Sequence, residues 1–144
     1  MLDIYTYYVY VGDAGTGVLI SGGYPLSSIG TKVELFNLKT KTSCSLPDLP
    51  EGRRYPTSEG GVICGGLDST QVQTSCMELL ENGTWSSSKY EPIRPRYHHI
   101  SWNKNPRQSF MLLGGDNGQN RRTSDIVHAN GTVEEGFPLQ FDVL

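Results

Sequence analysis

Short apolar runs that each end in a glycine pair recur three times along the chain. They are Val18-Leu19-Ile20-Ser21 before Gly22-Gly23, Val62-Ile63-Cys64 before Gly65-Gly66, and Phe110-Met111-Leu112-Leu113 before Gly114-Gly115. The pairs lie 43 and 49 residues apart. This spacing falls within the period of roughly 40–50 residues that marks arrays of small β-sheets. The pattern therefore predicts three similar β units rather than one unrepeated domain.

Each unit continues with a polar loop and a second short strand, at 32–36, 76–80 and 125–128. In the second and third units this strand is followed by Asn-Gly-Thr, at 82–84 and 130–132. Asn-Gly between apolar runs predicts a hairpin, because both residues tolerate the positive φ of a type I′ turn. A last strand follows, with Trp85 in the second unit, Val133 in the third, and Cys44 at roughly the same place in the first.

Proline-bearing connections at 47–55 and 92–99 join the units, and Arg54 and Arg96 recur at the opening of the next unit. Proline cannot donate to a strand ladder, so it belongs between the sheets. No stretch of ten residues combines helical periodicity with caps. The sequence predicts an all-β fold of three four-stranded antiparallel sheets in a single array over 1–144. The approximate units are 4–50, 51–93 and 94–138, with 139–144 as a tail or a linker to a further unit.

These features resemble the kelch repeat, the four-stranded blade of a kelch-type β-propeller. The resemblance rests on the glycine pairs, the strand around Glu34, the Trp85 position and the opening at 96–99, and it covers about 5–137. The chain departs from the family where Leu80 and His128 replace the aromatic residue before the turn, and where only the second unit has the tryptophan. The resemblance implies a structural role for a repeated set of residues: Gly22, Gly23, Gly65, Gly66, Gly114, Gly115, Arg54, Arg96 and Trp85.

Three blades are fewer than the four to eight of a closed propeller. An arc of three leaves the outer faces of its terminal blades without a neighbour. We therefore expect the chain to be part of a larger propeller, which is the most economical interpretation. The alternatives are a homodimer in which two copies close on each other, and terminal blades with an unusual cap.

Cysteine placement and two sequons bear on the compartment. Cys64 ends one strand and Cys76 begins the next, so neighbouring strands bring the two sulfurs within reach of a disulfide. The alternative is two buried free thiols that pack as small apolar residues. Asn82 and Asn130 are acceptor positions for glycosylation, although Asn-Gly-Thr also serves turn chemistry alone. These features favour an extracellular or lumenal location, with a cytoplasmic one as the alternative.

Catalysis finds little support in the sequence. His98 and His99 are adjacent on a predicted strand, so their side chains face opposite sides and cannot easily share a metal. Together with Tyr97 they are the only echo of a galactose-oxidase-type copper site, and a complete ligand set cannot be assigned. No catalytic residue, metal ligand or cofactor is predicted. A copper-enzyme fragment remains the alternative.

Binding of a protein partner is the favoured function. The net charge of −3 does not suggest nucleic-acid binding, and no apolar segment approaches the roughly 20 residues of a membrane span. Propellers present loops at the ends of a rigid scaffold, and function concentrates in such loops. Tyrosine and arginine are the residues most often found at interface hot spots. The candidates are Tyr24, Arg53, Arg94, Arg121 and Arg122. An intracellular substrate adaptor of a ubiquitin ligase is the alternative kind of binding module.

Overall fold

The computed structural model describes residues 7–11, 17–23, 30–59, 61–105, 109–116 and 119–143. All regular secondary structure within these ranges is β-strand, so the predicted all-β fold is confirmed. The strands form three antiparallel sheets, each a meander in chain order. The first sheet contains β1 (Tyr7–Val11), β2 (Gly17–Ser21), β3 (Val33–Asn37) and β4 (Thr42–Leu46). The second contains β5 (Thr57–Glu59), β6 (Val62–Cys64), β7 (Cys76–Leu79) and β8 (Trp85–Ser86). The third contains β9 (Ile100–Asn105), β10 (Ser109–Leu113), β11 (Ser124–His128) and β12 (Val133–Glu135).

The sheets lie side by side, with β5 next to both β1 and β9. One end of the array, which we call the rim, carries the loops after β2, β6 and β10 and the connections between sheets. The opposite end carries the β3–β4, β7–β8 and β11–β12 turns. Asn82 and Asn130 lie on two of these turns and are exposed. Both sequons therefore lie at the end away from the rim.

Two apolar clusters fill the spaces between the sheets. One contains Leu19, Val33 and Leu49 of the first sheet and its exit segment with Ile63 and Met77 of the second. The other contains Val62, Cys64, Cys76, Ile93, Phe110, Leu112 and Val127, from the second and third sheets. Successive strand residues point to opposite faces, so Ile63 packs toward the first sheet while its neighbours pack toward the third. We call the face that a sheet turns toward the next one its leading face, and the other its trailing face.

The glycine pairs let each exit segment cross the end of the sheet it leaves. Gly65 has φ 62°, and a Cβ there would lie 2.6 Å from the carbonyl oxygen of Arg96. Gly66 donates its N–H to the same carbonyl at 2.8 Å. The same two contacts join Gly22 and Gly23 to Arg53, and Gly114 and Gly115 to Val143. Only glycine combines this φ with such a close backbone approach.

Two local details differ from the sequence predictions. Gly83 has φ 82° and donates to the Leu80 carbonyl at 2.9 Å, whereas Asn82 does not have positive φ. The turn is thus a type I turn followed by a left-handed glycine, and the predicted type I′ turn is wrong. The strand register also aligns Trp85 with Ser43 rather than Cys44, because Leu79 pairs with Trp85 as Phe36 pairs with Ser43.

Candidate functional site

Two buried arginines fix the segments that enter the second and third sheets. Arg96 donates to the carbonyl oxygens of Gly114 at 2.5 Å and Thr123 at 3.2 Å, and forms an ion pair with Asp125 at 2.8 Å. Its side chain is fully buried. A charge in such a position is tolerated because acceptors surround it. The arginine therefore joins the two central strands of its sheet at the rim.

Arg53 makes the equivalent contacts in the second sheet. It donates to the carbonyl oxygens of Gly65 and Ser75, each at 3.0 Å, and to the Ser75 hydroxyl at 2.6 Å. It is 1% exposed, and burial lowers its pKa to about 10, which still leaves it charged at neutral pH. The assignment of Arg53 as a partner-binding residue is therefore wrong, because its side chain is committed to the interior.

The prediction that Arg54 repeats the structural role of Arg96 is also wrong, because Arg54 occupies a different position in the repeat. Arg54 pairs with Leu67 in a backbone bridge as Tyr97 pairs with Asp116, so Arg54 aligns with Tyr97 and not with Arg96. The repeated arginines are thus Arg53 and Arg96. Because two arginines are consecutive, the sequence alone does not show which of them matches Arg96. A shift of one residue places the arginine side chain at the surface instead of in the interior.

Three further arginines predicted as contact residues lie on the rim but are paired with carboxylates. Arg94 contacts Asp125 at 3.5 Å and Glu135 at 2.7 Å. Arg121 contacts Asp116 at 2.9 Å, which raises the pKa of the arginine, and Arg122 contacts Asp142 at 2.6 Å. The structure does not bring these three into one cluster of unpaired cations. Tyr24 lies outside the described residues.

An aromatic cluster at the rim was not among the sequence candidates. The ring centroids of Tyr55 and His98 lie 3.9 Å apart, and those of Tyr97 and His98 lie 5.1 Å apart. The guanidinium carbon of Arg54 lies 5.9 Å from the centroid of the Tyr55 ring. All four side chains are half-buried. We call Arg54, Tyr55, Tyr97 and His98 the rim cluster.

The backbone of the rim cluster is strained at matching positions in two repeats. Tyr55 has φ 58° and His98 has φ 56°, and each lies two residues after its buried arginine. A left-handed conformation in a non-glycine residue costs on the order of 1–3 kcal/mol and tends to occur at binding sites. The His98 N–H donates to the Tyr55 carbonyl at 3.3 Å, which ties the two repeats together.

The electrostatics of the rim cluster favour a neutral histidine beside a cation. Burial, with help from the charge of Arg54, lowers the pKa of His98. Burial and the carboxylate of Asp116 raise the pKa of Tyr97, so the phenol stays protonated. Among the residues that the structure describes, Arg54 has no carboxylate partner, and its buried Nε has no hydrogen-bond partner. The cluster therefore offers a cation beside the aromatic ring of Tyr55.

His99 lies directly below the rim cluster and is turned into the interior. Its ring lies against Gly65 and its Cβ against Gly115, and neither ring nitrogen has a hydrogen-bond partner among the described residues. It aligns with Pro56, which packs against Gly66 in the preceding repeat. Burial, and then the positive charge of Arg96 and the neighbouring His98, lower the pKa of His99 to about 3. His99 is therefore a neutral, buried side chain at neutral pH.

The depressed pKa of His99 predicts that folding stability falls in acid. The unfolded histidine takes up a proton below about pH 6.5, whereas the folded one resists until about pH 3. Its contribution is complete above pH 6.5 and declines as the pH falls between these values. Lowering the pH from 7.5 to 5.0 should remove about 2 kcal/mol through this group. Urea unfolding of the native protein and of His99→Gln at both pH values measures this loss of stability. An equal loss in both proteins would contradict the assignment.

The predicted disulfide is present. Cys64 and Cys76 are direct cross-strand partners with Cα atoms 4.1 Å apart, and both are fully buried on the leading face of the second sheet. Cys44 is a free, exposed cysteine. A buried disulfide in a small β domain is typical of proteins from oxidising compartments.

The described ranges contain neither a metal-binding cluster nor a membrane-spanning helix. Those ranges contain no group of three or more His, Cys, Asp or Glu residues arranged to hold a metal ion. Tyr97 and His98 belong to the rim cluster, whereas His99 faces inward, so these three do not converge on one point. No described helix has the length and apolar character needed to cross a membrane.

Comparison with known proteins does not assign the chain to a family. No protein-family model matches the chain, and no curated protein matches it. The candidate site is thus defined by the rim cluster itself. Its sequence signal is the repeated Arg-Arg-Tyr-Pro and Arg-Tyr-His-His at 53–56 and 96–99, in which aromatic residues follow the buried arginine in phase.

Proposed function

We propose that the chain is a non-catalytic protein-interaction module of the kelch-repeat β-propeller type, and that it contacts a protein partner through the rim cluster. The observation that carries the proposal is the Arg54 guanidinium, which lies beside Tyr55 without a carboxylate partner among the described residues. Tyrosine and arginine at a half-buried position are the composition of an interface hot spot. Tyr55 and His98 also have a strained backbone, and such strain tends to occur at binding sites.

The chemistry of the cluster favours a partner with a carboxylate at the contact. Guanidinium groups bind carboxylates through paired hydrogen bonds, and arginine also stacks on aromatic faces. The nearby rim arginines, such as Arg121 and Arg122, already have acidic partners, so Arg54 is the group that an incoming acid would find unpaired in the described part of the rim. An acidic side chain flanked by an apolar residue fits this surface best.

We place the protein in an extracellular or lumenal compartment. The buried Cys64–Cys76 disulfide supports this location. The sequons at Asn82 and Asn130 support it further, because glycans on those exposed turns would leave the rim open for a partner. The alternative is an intracellular adaptor. The compartment in which the partner is found distinguishes the two proposals. The copper-enzyme alternative has no observation in its favour among the described residues.

Substitution of Arg54 by alanine should abolish partner capture. A hot-spot arginine is worth about 2 kcal/mol or more, which corresponds to roughly 30-fold in affinity. Immobilised native protein and R54A are compared by quantitative mass spectrometry, in parallel on secreted medium and on a cytosolic extract. We expect a protein from the medium that is enriched on the native chain and is lost on R54A.

Lys39→Ala is the matched control, because Lys39 is an exposed cation on the β3–β4 turn at the opposite end. The K39A protein should capture the same partner as the native chain. Equal capture by R54A and K39A would overturn the rim-cluster proposal. A partner found only in the cytosolic extract would favour the intracellular adaptor.

A further inference from the structure

The leading face of the third sheet is apolar, and none of the sheets in the described residues covers it. Trp102, Met111 and Ile126 are in register across β9, β10 and β11, and Ile100 pairs with Leu113. Ile100 is 50% exposed and Trp102 is 53% exposed, while the other three are half-buried. Contiguous exposed apolar side chains of this kind mark interaction surfaces.

The equivalent face of the second sheet is an interface within the chain. Val62 and Cys64 align with Met111 and Leu113, and they pack in one cluster with the third sheet. On the first strand of each sheet, Thr57 of β5 aligns with Ile100 of β9. The uncovered face is therefore more apolar than its buried counterpart. Its position in the repeat is one that a further sheet covers.

The segment that follows the third sheet is hydrogen-bonded in the same way as the segments that connect the first two sheets to the next sheet. Leu49, Ile93 and Leu139 each donate their N–H to a rim carbonyl at 2.8 Å, from Thr31, Thr74 and Arg122 respectively. Leu49 and Ile93 are each 3% exposed, because the following sheet closes over them. Leu139 is only half-buried. Leu139 is thus held by the same hydrogen bond as Leu49 and Ile93, but no sheet among the described residues covers it.

The trailing face of the first sheet offers the complementary surface. Ile20 and Phe36 lie on it at the positions that Ile63 and Leu79 occupy in the second sheet. Ile63 is fully buried against the first sheet, whereas Ile20 and Phe36 are half-exposed. Ile63 therefore has an apolar counterpart at the other end of the array. The counterpart of Met77, the other second-sheet residue in that cluster, is the exposed Glu34.

We propose that a second copy of this chain covers the exposed face. The leading face of the third sheet in one copy packs on the trailing face of the first sheet in the other. A two-fold axis repeats the contact, so that the end faces of both copies are buried in one closed ring of six sheets. The interface uses the same side-chain positions as the two interfaces within the chain, and it does not involve Arg54 or its neighbours at the rim.

Light scattering coupled to size-exclusion chromatography tests the proposal on the 144-residue chain between about 1 and 100 µM. We expect twice the monomer mass of 15.9 kDa. Trp102→Lys should weaken association at least about 100-fold, because it places a charge at the centre of the contact. Leu38→Lys is the matched control, since Leu38 is 44% exposed on the β3–β4 turn, off both faces. If W102K does not give a cooperative melt, Ile100→Lys takes its place.

A mixing experiment distinguishes this contact from one between two identical faces. Phe36→Lys should also give a monomer, because it disrupts the other half of the same interface. An equimolar mixture of W102K and F36K should form a heterodimer, since one intact contact remains between them. A native monomer at every concentration would overturn the proposal and point to a different cover, such as a further sheet. A dimer that resists W102K, or monomers that do not associate on mixing, would overturn it as well.

Discussion

Replacing Arg96 by methionine should lower the free energy of unfolding by about 3–5 kcal/mol. The substitution leaves the Asp125 carboxylate buried, together with the Gly114 and Thr123 carbonyl oxygens that the guanidinium contacts. Arg94 lies 3.5 Å from the same carboxylate and offsets part of the loss, which places the expected value toward the lower end. Urea unfolding at pH 7 measures the difference from the native protein.

Arg53→Met is the matched comparison, because Arg53 is equally buried and occupies the same place in its repeat. Its hydrogen-bond acceptors are neutral, namely the Gly65 and Ser75 carbonyl oxygens and the Ser75 hydroxyl. Unsatisfied neutral groups cost about 1–3 kcal/mol, less than an unpaired buried carboxylate. R53M should therefore be the milder of the two. Equal losses would mean that Asp125 remains compensated without Arg96.

The parts of the fold that sequence predicted are those that depend on local pattern. Each glycine pair follows an apolar run directly, so three units of β-structure could be read from composition and spacing. The Cys64–Cys76 disulfide could be predicted because the two residues lie at the facing ends of consecutive strands, which pair in the sheet. In both cases the residues that carry the information are close in sequence.

The parts that sequence did not predict depend on register or on contacts between repeats. A shift of one residue reverses the direction of a side chain, and the pair Arg53-Arg54 gave no means of deciding which arginine faces inward. The rim cluster joins Tyr55 of one repeat to His98 of the next, and only the packing of the two connections brings them together. The apolar face around Trp102 depends on the register of Trp102 with Met111, which the sequence pattern does not determine.

The glycine pairs themselves provide the second large effect. Gly65→Ala should destabilise the protein by about 2–5 kcal/mol, from two causes that act together. A left-handed conformation costs an L-residue about 1–2 kcal/mol, and Gly65 has φ 62°. The added Cβ would also lie 2.6 Å from the Arg96 carbonyl oxygen and 2.8 Å from the His99 ring. Moving the backbone to relieve such overpacking typically costs a further 1–3 kcal/mol or so.

Gly61→Ala separates the two causes within the same sheet. Gly61 has φ 85°, but a Cβ there would meet no atom within 4 Å. G61A should therefore lose only the conformational part, about 1–2 kcal/mol. The excess loss in G65A, measured by urea unfolding of both variants, reports the close approach of the exit segment to the end of β6. If G65A lost no more than G61A, the exit segment could move away without cost. The close contact between the Arg96 carbonyl and Gly65 would then contribute nothing to the association of the second and third sheets.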